Sequence, residues 1–155
     1  MEDDENYTMD DEEAKSHPRL LMLDAFDGEI DGELKFNKVL YKYRENAVKE
    51  DDWEFDREQW GPTDPGFTSI MQSLDELDVT ELEEVDRMHL FNLTAKGKDV
   101  ASGLRRGLNK LQPDFSEKDS AIQSIAQRDK DRSGSEIEQD DIIQDAKEET
   151  EGSQV

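Results

Sequence analysis

A mainly α-helical domain carrying one small antiparallel β-hairpin is the fold class this sequence predicts, and three observations predict it. Apolar residues recur at helical spacing in four separate stretches between Arg19 and Leu111. One stretch, TELEEVDRMHLFNL (80–93), breaks that period and offers two extended runs around Asp86-Arg87. The 155 residues suffice for one core and, once the polar ends are set aside, not for two generous ones.

The opening MEDDENYTMDDEEAKSHP holds a dense acidic run and no apolar period, so residues 1–18 are expected to be a disordered acidic tail. RLLMLDAF (19–26) is a short apolar helix that stops at DGEIDG, where Gly28 and Gly32 supply turn freedom. Over 34–48 (LKFNKVLYKYRENAV), Phe36, Val39, Leu40, Tyr43 and Ala47 fall within about 100° of arc, which predicts a second helix with that stripe as its core face. Lys35, Lys38, Lys42 and Lys49 fall on a separate, narrower face, the clearest basic stripe in the chain. In EDDWEFDREQWGPTDPG (50–66) the helical pattern lapses, and Trp53, Phe55 and Trp60 are expected to pack inward from an extended connection.

FTSIMQSLDELDV (67–79) predicts a third, amphipathic helix. Phe67, Ile70, Met71, Leu74 and Leu77 lie on one side; Thr68, Gln72, Asp75 and Glu76 lie mostly on the other, and the helix has no Lys or Arg. In the hairpin, Leu82 and Val85 belong to one strand and Met88, Leu90 or Phe91, and Leu93 to the next. Thr94 then caps a helix entered through Ala95, with Val100, Ala101, Leu104, Leu108 and Leu111 on a face that Lys98, Arg105, Arg106 and Lys110 avoid. Residues 112–132 read as a helical extension carrying Phe115, Ile122 and Ile125, and 133–155 as an acidic tail or weak helix.

Charge bounds the function. Asp and Glu number 42 against 19 Lys and Arg, a formal -23, far more than solubility needs. Acid is spread through the whole chain and densest at the ends: residues 1–15 hold eight acids and one base, residues 112–155 hold 13 and five. Self-repulsion of that size is screened at molar salt, where the Debye length is about 3 Å, so the composition predicts a protein adapted to a salt-rich cytoplasm. An acidic mimic of nucleic acid is a competing reading. The absence of Cys excludes disulfides and thiolate chemistry. No stretch approaches the roughly 20 apolar residues of a membrane span, so a cytoplasmic location is expected, with no membrane partner.

No Gly-rich phosphate loop, Gly-x-Ser-x-Gly elbow or His-Glu-x-x-His pattern occurs, so the chain is expected to be non-enzymatic, with no cofactor and no small-molecule substrate. His17 and His89 are too few for a multi-histidine metal centre. DKDRSGSEIEQD (129–140) places Asp129, Asp131, Ser133, Gly134, Ser135 and Asp140 at positions 1, 3, 5, 6, 7 and 12 of a calcium loop. Position 12 is Asp rather than bidentate Glu, position 8 is Glu136 rather than apolar, and no second loop exists to pair with it. In a chain this rich in Asp such a near-match is cheap, and calcium binding is the lesser expectation for these residues.

The order helix, helix, helix, hairpin, long helix resembles a winged helix-turn-helix domain over 19–111, with a C-terminal helical extension. MHLFNLTAKGKDVASGL (88–104) is similar to the second wing strand and last-helix entry of such proteins, with Phe91, Leu93, Thr94 and Gly97 in an aromatic-x-Leu-Thr-x-x-Gly phrase. DAFDGEIDGELKFNKVLYKY (24–43) together with Trp60-Gly61-Pro62 resembles phage-associated and archaeal winged-helix proteins, of haloarchaeal or archaeal-virus type. The resemblance implies a DNA-binding transcriptional regulator contacting double-stranded DNA through Lys35, Lys38, Lys42, Thr68, Ser69, Gln72 and Arg87. It also implies a homodimer built on Leu104, Arg105, Leu108 and Leu111. Against DNA stand Asp75, Glu76 and Asp78 on the would-be recognition helix and Glu81, Glu83, Glu84 and Asp86 on the wing. The alternative is a winged-helix module for protein–protein interaction or dimerisation without DNA. A patch of positive potential contiguous with the third helix would discriminate the two.

Overall fold

The computed structural model describes residues 11–48 and 53–155. Its elements are α1 (Asp11–Ala25), β1 (Glu29–Asp31), α2 (Glu33–Tyr43), which continues as a π-helical turn (Arg44–Val48), β2 (Asp56–Glu58), β3 (Gly61–Thr63), α3 (Phe67–Glu76), β4 (Thr80–Val85), β5 (Met88–Leu93), α4 (Ala95–Leu111), α5 (Phe115–Asp129), α6 (Gly134–Glu138) and α7 (Asp141–Lys147). The architecture is mainly helical with two small antiparallel sheets, β1-β5-β4 and β2-β3. Among the described residues no helix is long and apolar enough to cross a membrane.

Helices α2, α3 and α4 fall where the apolar period places them. The first helix does not: it begins at Asp11, within the stretch expected to be disordered, while residues 1–10 and Lys49 lie outside the described residues. Pro18 sits inside α1 and has no N–H to donate, so packing holds this helix: Leu20, Leu21, Met22 and Leu23 are all buried. After α1, Asp27 (φ 61°) and Gly28 (φ 84°) reverse the chain into β1. That strand has one buried apolar residue, Ile30, paired with Phe91, which is too little for a sequence pattern to reveal.

The β4–β5 turn has Asp86 and Arg87 both at positive φ (50° and 70°), the primed geometry that matches strand twist in a two-residue hairpin. The register pairs Leu82 with Phe91 and Val85 with Met88. Three residues apart on one strand, Leu82 and Val85 face opposite sides of the sheet.

The Thr-x-x-Gly phrase has a physical cause at the α4 entry. Thr94 Oγ1 accepts from the Gly97 N–H at 2.9 Å and lies 2.6 Å from the Asp78 carbonyl, to which its hydroxyl donates. A Cβ on Gly97 would lie 2.0 Å from the Val79 carbonyl oxygen, so the helix can approach β4 this closely only with glycine there.

Phe36, Phe67 and Phe91, one each from α2, α3 and β5, meet edge to face with centroids 5.1–5.4 Å apart and lock helices to sheet. Trp53 and Phe55 pack inward against Tyr43 and Tyr41, with the Arg44 guanidinium over Phe55. Trp60, expected in the core, instead stands 51% exposed at the β2–β3 turn.

Residues 133–155 form no loose tail. Ile137 and Ile143 are completely buried, because α6 and α7 fold back on α2 and β3. Ser133 and Glu136 make a capping box at the start of α6. The last residues run beside β2: Arg57 N–H donates to the Ser153 carbonyl, Gly152 N–H to the Arg57 carbonyl, and Val155 N–H to the Phe55 carbonyl.

Candidate functional site

The folding-back of α5, α6 and α7 changes what α2 can do. Lys35, Lys38 and Lys42, expected to form an exposed basic stripe, are 3%, 2% and 2% exposed. The correction has a physical reason: acceptors inside the molecule, most of them from the C-terminal third of the chain, compensate two of the three charges. Lys35 Nζ reaches Asp31 Oδ1 at 3.3 Å and donates to the Lys130 carbonyl at 3.1 Å. Lys42 Nζ donates to Asp129 Oδ2 at 2.8 Å and Asp140 Oδ2 at 2.6 Å. Arg132 closes the cluster, donating to Asp129 Oδ1 at 2.8 Å and to both carboxylate oxygens of Asp140 at 2.8 and 2.9 Å.

Asp129 and Asp140 are the first and twelfth positions of the calcium-like loop, and they do converge on a cation. That cation is an ammonium group belonging to the chain. Hydrogen bonds from Arg132, against the opposing effect of burial and with the help of Lys42, hold the Asp140 carboxyl well below the usual carboxylate range. Among the described residues, no group of three or more His, Cys, Asp or Glu side chains is placed to hold a metal ion.

The α3 face presents the expected polar side chains. Thr68, Ser69 and Gln72 are all exposed, and a cavity of about 320 Å³ separates α3 from the hairpin. Phe67, Met71, Leu82 and Phe91 form its apolar floor, and Glu33, Asp75 and Glu81 stand on its rim. Arg87 is exposed at the hairpin tip, away from those side chains and beside Asp86. Leu77 and Leu82 are about half exposed, so this face combines apolar side chains with carboxylates, while the equally exposed Val85 and Met88 lie on the other side of the hairpin. Among the described residues no Lys or Arg lines the cavity, and Lys96, which approaches the end of α3, donates to the Leu77 carbonyl at 2.7 Å.

The expected dimer face of α4 is also redistributed. Leu108 is buried in the core and Leu104 packs against it. Arg105 bridges Asp24 of α1 (2.7 Å) and Asp119 of α5 (3.1 Å), fixing three helices together. Of the four residues expected at that interface, Leu111 alone is open, at 68% exposure.

A second cavity, about 620 Å³, lies between the hairpin tip, the start of α2, Trp60 and α6, and Lys38 lines it. It shares Glu33 and His89 with the α3 groove. Sequence reasoning missed this cavity because its walls come from four separated segments. The Ser133-x-x-Glu136 capping-box spacing is the one signal in the sequence that α6 is ordered enough to form a wall.

No protein-family model and no curated protein sequence matches this chain.

Proposed function

We propose that this chain is a non-enzymatic winged-helix interaction module that receives a cationic segment of a partner protein in the groove between α3 and the β4–β5 hairpin. One observation carries the choice over DNA binding: the α3 and hairpin face is apolar and acidic, and the lysines that would have met phosphates are buried, two of the three on internal partners. The element order and the β1-β5-β4 strand order support the winged-helix part of the reading. Phe67, Met71 and Leu82 offer an apolar seat, and Glu33, Asp75 and Glu81 complement Lys or Arg on the incoming chain. The surface charge suits a salt-rich cytoplasm, where screening reduces self-repulsion while apolar burial persists.

DNA regulation is the second reading, and the exposed row Thr68, Ser69 and Gln72 is the observation that favours it. One experiment separates the two. A photo-crosslinking amino acid is placed at Gln72 and, as control, at exposed Asn109, and cells expressing the chain are irradiated. A protein adduct specific to position 72 is expected. A nucleic-acid adduct there would transfer the chain to the regulators, and no adduct of either kind would remove α3 from both readings.

A further inference from the structure

We propose that the cavity around Lys38 binds a small organic monoanion, a carboxylate carried on a flat apolar body. Of three lysines buried along α2, Lys35 and Lys42 have internal acceptors, whereas Lys38 has no hydrogen bond or ion pair among the described residues. The acid whose field reaches it, Glu138, is taken by Lys147. An ammonium group on a side chain only 2% exposed, lining a cavity and without a counter-ion among the described residues, is costly, and the cost is relieved by losing the proton or by gaining an anion. Burial accordingly pushes the Lys38 amine below its ordinary pKa, opposed by Glu138 and reinforced by Lys147. An arriving carboxylate supplies the missing acceptor and restores the charged form.

The walls select the rest of the ligand. Trp60 contributes an indole that is 51% exposed, and Leu34 and Met88 add exposed aliphatic surface, so the ligand body is apolar and flat enough to lie on the indole. Asp31, Glu33, Asp86 and Glu138 border the cavity against Lys35, Lys38 and Arg87, so its lining is acidic on balance, which disfavours a doubly charged phosphate against a single carboxylate. The hairpin tip and α6 meet across this cavity, so a ligand there would bridge them. This proposal does not depend on the partner assigned to the α3 groove.

The test is calorimetric titration of the full chain with phenylacetate and with its uncharged counterpart phenylacetamide, at molar potassium chloride. Phenylacetate is expected to bind saturably and the amide at least about tenfold more weakly, the ratio that one charge-assisted hydrogen bond provides. Lys38→Met is expected to reduce the acid to the level of the amide, and Trp60→Ala to weaken both compounds alike. No saturable heat with phenylacetate, equal binding of acid and amide, or unchanged binding to Lys38→Met would each overturn the proposal. Should circular dichroism find Lys38→Met unfolded, the acid-to-amide ratio on the unaltered chain decides the question.

Discussion

The two flanks of α2 are buried by different physics. On one, Phe36 meets Phe67 and Phe91 and excludes water with hydrocarbon. On the other, Lys35 and Lys42 are buried because the C-terminal third of the chain delivers acceptors to them. The difference teaches that apolar burial declares itself in the residue types of the helix alone. Ionic burial is decided by residues elsewhere: Lys42 and Asp129 are 87 positions apart.

The largest expected effect breaks the apolar flank. Phe36→Ala should cost about 3–5 kcal/mol in chemical denaturation at molar salt, and a loss under about 1 kcal/mol would remove the aromatic triad from the centre of the fold. Breaking the ionic flank comes next. Lys42→Met leaves the fully buried Asp129 without its ammonium and should cost about 3 kcal/mol. Adding Asp129→Leu to it should recover most of that loss, because one carboxylate, Asp140, then faces one guanidinium, Arg132, instead of two carboxylates sharing it. If the double variant is no better than the single, the cluster is not acting as a charge pair.

A pH series sharpens the same flank. Asp140 has its folded pKa depressed, so its contribution is fully present above the unfolded value, about 3.9, and is lost as pH falls through the folded value. Wild type should exceed Asp140→Asn by about 1.5 kcal/mol at neutral pH. The gap should hold down to about pH 5, narrow below about pH 4 and still be open at about pH 3. A gap that widens on acidification would contradict the pairing. The smallest effect is expected at Leu111→Ser, within about 0.5 kcal/mol, since Leu111 is open to solvent and packs on nothing in the core. An accompanying change of sedimentation coefficient would mean that this end of α4 is an interface after all.

Legibility follows the same division. The core stripe Phe36, Val39, Leu40 and Tyr43, the Thr94 cap and the Asp86-Arg87 turn are readable because each is a local pattern with a local cause. Ile30 is not recognisable as a strand, since one apolar residue has no period. Ile137 and Ile143 read as tail residues because α6 and α7, five and seven residues long, are shorter than the window over which a helical period becomes visible. The lysine spacing gives the right phase on α2 and says nothing of the acceptors that surround it. Trp60 goes the other way: aromatic type suggests burial, and a tight hairpin turns it outward. The α3 groove is partly legible through Thr68 and Gln72, while the Lys38 cavity, assembled from distant segments, is not.

The position of Asp129 and Asp140 late in the chain also sets an order of events during synthesis. At about 5–20 residues per second, ~4–20 s separate the emergence of Lys42 from that of the carboxylates that will enclose it. Throughout that interval the nascent chain presents a row of hydrated ammonium groups where a conventional core would present bare hydrocarbon. The face awaiting its cover is therefore one that water keeps dispersed, and the growing chain reaches its last helices without a sticky surface on that flank of α2.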